Sequence, residues 1–318
     1  MLRTLLTDRF ALRVPVVGAP MAGAGGAALA AAVSRAGGLG MIGVGAAADP
    51  DWITAAAAEA RGAADRFGIG LMAWNIPRRP DQLDAAIAAG PALISVSFGD
   101  YGPALGPLRR AGIPVATQVG DVASARRAAE DGIDLIVARG GEGGGHGDDR
   151  VATLPLLQGV LDAVGDRAIV LAAGGIATGR GLAAVLAAGA AGAWIGTALL
   201  ACTEALTSPG ARRRLIEASE LDTVATRVFD IAQEIPWPPG YPGRALANDF
   251  TGRWHGREAD LSASDGARRA LAEARRRGDF ETAFVYAGQA AGSLAGERPA
   301  GDVIAEIAGS AEVLLRRW

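Results

Sequence analysis

The sequence predicts an α/β protein built as a (β/α)8 TIM barrel, with an appended, mostly helical segment over the barrel mouth. Two patterns carry this prediction. Eight short apolar runs alternate with helical segments over about 200 residues, and short Gly-rich turns link them. A doubly wound open sheet is the competing architecture. It is disfavoured because eight units overfill one such domain, and because no early Gly-x-Gly-x-x-Gly pattern precedes an acidic residue at the end of the second strand.

The predicted strands are short and apolar, as expected of strands that are buried on both faces. In chain order they cover residues 14–19, 39–44, 68–72, 93–98, 113–118, 133–137, 168–173 and 193–197. The first helix between these strands is predicted to end near residue 36, where Gly37 and Gly38 follow. The second begins at Asp49, a capping residue, with Pro50 in its first turn. The later helices cover residues 81–89, 103–111, 121–131, 154–164 and 180–188.

Three regions are predicted along the chain. They are a barrel over residues 1–211, a helical and irregular lid-like segment over 212–278, and C-terminal helices over 279–318 that pack back on the body. The βα rhythm breaks at two Arg triplets, 212–214 and 275–277, and at the Pro-rich run 236–242. The triplets are predicted to be solvated helix faces, since acidic residues lie near them in the sequence.

Composition excludes several classes of function. All 31 basic residues are Arg, so chemistry that requires a lysine is absent: Schiff bases, pyridoxal phosphate attachment and the Walker A loop. The formal charge of −3 argues against nucleic acid as a partner. The single cysteine, Cys202, excludes an internal disulfide and a Cys-rich metal site, and no metal is predicted.

The sequence also predicts no membrane association. Two long uncharged runs, 14–34 and 181–203, approach the roughly 20 residues that cross a bilayer, but several glycines interrupt both. The N-terminus lacks the basic, apolar and small-residue pattern of a signal peptide. A cytoplasmic location is therefore expected.

The glycine-rich stretch 138–149 is the strongest candidate for a functional loop. It follows an apolar strand, and between residues 140 and 147 only Glu142 and His146 are not glycine. Glycine lets a backbone approach a ligand closely or adopt positive φ. A lone imidazole on a flexible loop after a barrel strand is a typical placement of a catalytic residue. His146 is therefore the predicted catalytic residue, the alternative being an imidazole that bonds only its own backbone.

Two further glycine turns fall where barrels commonly bind phosphate. Gly174 and Gly175 follow the seventh strand, and Gly196 and Thr197 follow the eighth. At these turns backbone N–H groups and a helix N-terminus are aimed at the anion. Either turn alone would be read as a tight turn, but the pair at these two strands predicts a phosphate site.

The chain resembles the nitronate monooxygenases, formerly called 2-nitropropane dioxygenases. The segments that carry the resemblance lie in order at residues 17–23, 138–147, 172–177 and 195–197, with a further one at 286–292. The resemblance implies an FMN-dependent barrel enzyme that oxidises alkyl nitronates with O2 to carbonyl compounds and nitrite, with neutral nitroalkanes as a further candidate substrate class. Flavin-dependent enoyl-acyl-carrier-protein reductases share the fold and much of the motif. The alternatives are therefore an NAD(P)H-dependent FMN reductase of enoyl thioesters or quinones, and an FMN-binding barrel that lacks either activity.

The resemblance also implies roles for individual residues. Residues along the flavin ring would be Ala19, Pro20, Met21 and Ala22, and those that hold its phosphate would be Gly174, Gly175, Gly196 and Thr197. Other predicted flavin contacts are Gly70, Arg139, Gly144 and Trp194. His146 would act as a base toward neutral nitroalkanes or would orient the nitro group, tasks that suit an imidazole near neutral pH.

Three of these positions, Gly70, Arg139 and Trp194, depart from the family pattern, which often has Asn, Gln and Gln there. Two readings of Arg139 stay open. It stabilises reduced, anionic flavin as a fixed cation, or it orders the loop by pairing with Glu142 or Asp148. The predicted partners are a small-molecule substrate and O2. A homodimer is compatible with the sequence, which fixes neither the oligomeric state nor the physiological substrate.

Overall fold

The computed structural model describes residues 2–317 and contains the predicted (β/α)8 barrel. Its eight parallel strands are β1 Val16–Gly18, β2 Met41–Gly43, β3 Gly68–Met72, β4 Leu93–Ser97, β5 Val115–Val119, β6 Leu135–Arg139, β8 Ile169–Ala173 and β9 Gly192–Ile195. A two-residue strand, β7 Gly145–His146, belongs to a second sheet. Each predicted strand is present, with ends that differ by at most a few residues.

The sheet closes on itself between β1 and β2. The strands pair in the order β1-β9-β8-β6-β5-β4-β3-β2, and a parallel bridge between Val17 and Leu39 joins the two ends. The Gly18 N–H donates to the Leu39 carbonyl at 2.9 Å, and the Leu39 N–H donates to the Val16 carbonyl at 3.0 Å. Closure leaves no exposed strand edge on this sheet and fixes the strand ends around one mouth.

Helices follow the strands and cover the outside of the barrel. They are α2 Ala27–Arg35, α3 Pro50–Ala63, α4 Pro80–Ala88, α5 Gly102–Ala111, α6 Val122–Glu130, α7 Thr153–Val164, α8 Gly179–Ala187 and the short α9 Thr197–Leu200. The Asp49 side chain accepts the Asp51 N–H and Pro50 opens α3, which confirms that predicted start signal.

Alternation along the strands divides the core in two. Ile42, Ile69 and Ile94 point outward and pack with the helices, while their neighbours point into the barrel. The inward set fills the barrel interior with Val17, Leu39, Met41, Leu93, Leu135, Val137, Leu171 and Trp194. The interior is therefore solid packing below the mouth.

An N-terminal helix that the sequence pattern did not indicate, α1 Leu5–Phe10, closes the other end of the barrel. Thr4 and Thr7 form a capping box at its start, and the Thr4 hydroxyl donates to the Ala191 carbonyl at 2.6 Å. Leu6 and Phe10 are buried in the interior cluster, and Leu6 lies close to Gly192 at the start of β9.

The region after α9 forms a second layer over the mouth. Its elements are α10 Pro209–Glu217, β10 Thr223–Thr226, α11 Val228–Ala232, β11 Gly243–Leu246, α12 Asp249–Trp254, α13 Glu258–Ser262 and α14 Asp265–Arg277. It has its own apolar cluster around Phe229, Phe250 and Leu271. The segment is mostly helical, as predicted, but the sequence did not indicate its two strands. The predicted boundary after residue 211 falls inside α10.

The second sheet changes the description of the glycine loop. β10 pairs antiparallel with β11, and β11 pairs antiparallel with β7, which sets Gly243 opposite His146 and Arg244 opposite Gly145. The prediction of a flexible loop is therefore wrong at its far end, where Gly145 and His146 pair as a strand with Arg244 and Gly243, about a hundred residues further along the chain.

The C-terminal helix, α15 Ala300–Leu315, packs against α8 and α2 on the outside of the barrel. Arg212 links the chain that leads to this helix, through an ion pair with Glu297, to the segment before α10, where its side chain donates to the carbonyls of Ala205 and Thr207. Arg212 is buried, so the prediction of a solvated triplet is wrong at this residue. No helix among residues 2–317 is long and apolar enough to cross a membrane.

Leu6→Ala should lower the free energy of unfolding by about 2–5 kcal/mol, because it removes a fully buried side chain from the barrel interior. Leu5→Ala is the matched control. Leu5 is the neighbouring residue on α1 and is 64% exposed, so its change should stay within about 0.5 kcal/mol. Denaturant unfolding measures both, and equal values would show that α1 does not stabilise the barrel.

Candidate active site

A cavity of about 1090 Å³ lies at the carboxyl ends of the barrel strands, beneath the appended segment. Both layers line it, and the structure brings every predicted site residue to its wall. These residues are Ala19, Pro20, Met21, Ala22, Gly70, Arg139, Gly144, His146, Gly174, Gly175, Trp194, Gly196 and Thr197. The carboxyl end of a barrel is where ligands bind in this fold, so the cavity is the candidate active site.

The turn after β1 forms one wall of the cavity, and it explains the glycine at position 70. A Cβ built on Gly70 would lie 2.3 Å from both Cβ and Cγ of Pro20. Because no side chain fits beside Pro20, the position where the family often has Asn is closed here by packing. The turn itself presents only small side chains and one methionine, Met21, to the cavity.

The two turns predicted to bind phosphate lie on the same cavity. Gly174 and Gly175 both adopt positive φ, at 104° and 71°, which favours glycine at these positions. No acceptor among residues 2–317 takes the N–H of Gly175 or Gly196. Amides without a protein acceptor at the wall of a cavity suit an anion. The Thr197 hydroxyl accepts the Gly288 N–H at 3.0 Å, so the C-terminal region is attached to this turn.

The glycine loop is organised around the buried guanidinium of Arg139, which is 4% exposed. Its Nη2 donates to the carbonyls of Gly143, Gly144 and Gly145, and its Nη1 donates to the Asp148 carbonyl at 3.0 Å. Burial lowers the pKa of Arg139 to about 10, which leaves it charged at neutral pH. Of the two readings of Arg139, this geometry favours loop ordering, through backbone carbonyls instead of the side chains of Glu142 or Asp148.

Other contacts fix the start of the same loop. The Glu142 carboxylate accepts the N–H and the hydroxyl of Thr153, at 2.8 and 2.6 Å, at the beginning of α7. The Arg244 side chain donates to the Gly141 carbonyl at 2.8 Å from the appended segment. The loop is therefore held from the barrel below and from the layer above.

The imidazole of His146 is held on three sides by the appended segment and the C-terminal region. Its Nε2 lies 2.9 and 3.0 Å from the two carboxylate oxygens of Asp230. The indole of Trp237 stacks on the ring, with centroids 3.6 Å apart and planes within 4° of parallel. Tyr286 contacts the ring at 5.2 Å and donates its hydroxyl to Asp230 at 3.3 Å. The alternative of an imidazole that bonds only its own backbone is therefore wrong.

Sequence reasoning missed Asp230 as a site residue and included Trp237 only within the Pro-rich run 236–242. Trp237 belongs to the Pro-rich run, whose aromatic content was a usable signal. Asp230 lies within α11 and carried no signal, because a single acidic residue in a helix is ordinary. The remaining wall includes Phe98, Trp52 and Leu206, the last two of which are exposed apolar side chains.

Trp194 and His255 lie in different surroundings. Trp194 is 4% exposed and packs in the barrel interior, so it reaches the cavity only from below. His255 is exposed at the end of α12, where its Nδ1 lies 3.1 Å from the Thr226 hydroxyl. In the described part of the chain, no group of three or more His, Cys, Asp or Glu side chains could hold a metal ion.

The nitronate monooxygenase family model matches residues 76–309 of the chain, a span that includes the glycine loop, His146 and both turns predicted to bind phosphate. The chain belongs to the nitronate monooxygenase family. Members of this family are flavin-dependent oxidoreductases built on a TIM barrel. The resemblance predicted from the sequence is thereby confirmed.

Individual relatives cover most of the chain. A nitronate monooxygenase from Paraburkholderia phytofirmans is 32% identical over 92% of this chain and 91% of its own length. A (3aS,4S,5R,7aS)-5-hydroxy-7a-methyl-1-oxo-octahydro-1H-indene-4-carboxyl-CoA dehydrogenase from Mycobacterium tuberculosis is 35% identical over 78% of this chain and 67% of its own. The structure of FabK from Thermotoga maritima superimposes with a TM-score of 0.86 and 31% identity, over 100% of this chain and 98% of that one.

The cavity fits a flavin in three respects. Its volume of about 1090 Å³ lies at the upper end of the roughly 300–1000 Å³ typical of small-ligand pockets, which is large enough for a flavin. The amides of Gly175 and Gly196 are available to a phosphate. Two of the four residues in the wall at 19–22 are alanine, and small side chains leave space beside the backbone for a ring system.

Replacing Arg139 tests the two readings of that residue. Arg139→Lys keeps a cation but cannot reach four carbonyls, so both it and Arg139→Met should increase hydrogen exchange over residues 140–149. Both should also lower stability by about 2 kcal/mol or more, because a buried carbonyl without a donor costs about 1–3 kcal/mol. Arg150→Met is the control, since Arg150 is an exposed cation near the same loop.

The flavin-charge reading makes the opposite prediction for the lysine variant. If Arg139→Lys keeps wild-type hydrogen exchange and flavin reduction while Arg139→Met loses both, the charge and not the carbonyl contacts is what the loop requires.

Proposed function

We propose that the protein is an FMN-dependent enzyme that oxidises alkyl nitronates, and neutral nitroalkanes, with O2 to carbonyl compounds and nitrite. One observation carries the proposal. His146 and the two glycine turns at Gly174–Gly175 and Gly196–Thr197 line the same cavity, so a base and an anion site are available to one flavin and one small substrate. Family membership supports nitronate oxidation as the reaction class.

In this proposal Gly174, Gly175, Gly196 and Thr197 hold the FMN phosphate, and residues 19–22 lie along the ring. FMN held by these residues would supply the redox chemistry that links oxidation of the nitronate to reduction of O2. The proposed flavin contacts also include Gly70, Arg139, Gly144 and Trp194. Gly70 leaves the space that Pro20 occupies, and Arg139 fixes the shape of the glycine loop.

His146 serves neutral substrates as a base. It removes a proton from the carbon that bears the nitro group, and the electron pair of the broken C–H bond stays on the substrate as the nitronate. Substrates that arrive as nitronate anions need no such step. For them the same side chain serves to position the nitro group.

The second candidate is an NAD(P)H-dependent FMN reductase of enoyl thioesters or quinones. Two observations favour it: the 0.86 TM-score with FabK, and the similarity to a relative that is named a carboxyl-CoA dehydrogenase. The third candidate, an FMN-binding barrel without either activity, would account for the departures at Gly70, Arg139 and Trp194. A cytoplasmic location and a homodimer stay predictions from the sequence.

The visible spectrum of the purified protein tests cofactor and reaction together. A flavin spectrum that bleaches on anaerobic mixing with propionate 3-nitronate, and recovers in air with release of nitrite, is the expected result. NADH oxidation with an enoyl thioester and no bleaching by the nitronate would support the reductase. A yellow protein inert to both would support the third candidate.

His146→Ala separates the two uses of the imidazole. Turnover of neutral nitroethane should fall by about 10²–10⁴-fold, the usual contribution of a positioned base. Turnover of ethyl nitronate should change far less. His255→Ala is the matched control, because His255 is exposed and lies outside the cavity lining. Equal losses on the two substrates would show that His146 positions the substrate and does not remove the proton.

A further inference from the structure

Asp230 is a buried carboxylate whose side chain has two partners among residues 2–317, the Nε2 atom of His146 and the hydroxyl of Tyr286. Its side chain is 3% exposed and that of His146 is 9% exposed. A carboxylate removed from water is costly unless its oxygens accept hydrogen bonds. We propose that Asp230 is a positioning residue that holds His146 in the Nε2–H tautomer, with Nδ1 as the proton acceptor. The inference rests on the proposed function.

The geometry decides which ring nitrogen carries the proton. An ionised carboxylate can only accept, so Nε2 must donate to Asp230. Nδ1 has no hydrogen-bond partner among residues 2–317, and it is not one of the fully buried atoms without a partner. His146 lines the cavity. The lone pair of the neutral ring is therefore on a nitrogen that is accessible and unpaired.

The same neighbours suit the charge that proton transfer creates. When the C–H bond of a nitroalkane breaks, the proton moves to Nδ1 and the electron pair stays on the substrate. Nε2 keeps its hydrogen bond to Asp230, which remains unprotonated throughout. The ring becomes a cation between the Asp230 carboxylate and the face of Trp237, and both attract positive charge.

The surroundings keep Asp230 in place. Burial and the charge of Asp230 raise the pKa of Tyr286 well above its usual range, so its hydroxyl stays a donor to Oδ1. Gly243, opposite His146 in the second sheet, leaves room for this arrangement. A Cβ there would lie 2.7 Å from the Tyr286 ring and 3.2 Å from Nε2.

The first test reads the tautomer directly and requires no turnover. The chain has two histidines, so ¹⁵N-histidine labelling gives two sets of ring signals, with His255 as an internal reference. In the neutral ring of His146 the proton should be on Nε2, and Asp230→Asn should shift the ring toward the Nδ1–H form. An Nδ1–H ring in the wild type, or a tautomer unchanged in Asp230→Asn, would overturn the proposal.

The second test shows whether Asp230 acts through His146. Asp230→Asn should lower turnover of neutral nitroethane by about 10²–10⁴-fold, the upper value being the loss seen when the histidine of a serine-protease triad loses its orienting carboxylate. Turnover of ethyl nitronate and flavin content should stay near wild type. In a His146→Ala background, Asp230→Asn should cause no further loss on nitroethane. Asp260→Asn, an exposed carboxylate on α13, is the control.

The outcomes separate this inference from the proposed function. If the wild type turns over neither substrate, the proposed function fails, while the tautomer measurement still reports on Asp230. If the wild type is active but Asp230→Asn loses both substrates equally, or adds its loss to that of His146→Ala, Asp230 is not acting through His146 and the positioning role is wrong.

Discussion

The active-site loop depends on one buried cation. Eight residues between 140 and 147, six of them glycine, supply almost no side chains to hold their own shape. The buried guanidinium of Arg139 fixes the shape of the loop instead, because it donates to four loop carbonyls. Buried carbonyls require donors, and a planar group with five N–H bonds can serve several at once. A loop rich in glycine can therefore have one defined shape without any packing side chains of its own.

The second constraint comes from the layer above the barrel. β7 pairs with β11, Asp230 holds Nε2 of His146, and Trp237 covers one face of the ring. The barrel supplies the turns at Gly174–Gly175 and Gly196–Thr197, which we propose bind phosphate, while the appended segment orients the imidazole of His146. The two turns and the contacts that hold this imidazole therefore belong to different layers, which meet at the cavity.

Much of the barrel could be predicted because its signals are local. Apolar runs of five or six residues mark the strands. A capping residue followed by proline marks a helix start, as at Asp49 and Pro50, and a glycine pair marks a helix end, as at Gly37 and Gly38. Elements that depend on distant partners were missed. α1 is stabilised by the barrel interior that it closes, and β10 and β11 are stabilised by each other and by the glycine loop. Arg212 looked like part of a solvated triplet, because the sequence does not show that its side chain is buried. In the folded chain that side chain donates to the carbonyls of Ala205 and Thr207.

By itself, the sequence determined the barrel, the family, the loop that carries His146 and the motif residues of the cavity lining, since each follows from a periodic pattern or from motifs of adjacent residues. Only the tertiary structure decided how those residues are used. In the folded chain Pro20 leaves no room for a side chain at position 70, and Arg139 donates to the loop carbonyls. Asp230, 84 residues further along the chain than His146, contacts its imidazole. The physical reason is the range of the interactions. Hydrophobic periodicity and turn chemistry act between neighbours in sequence, whereas a buried hydrogen bond acts between neighbours in space, which only the folded chain defines.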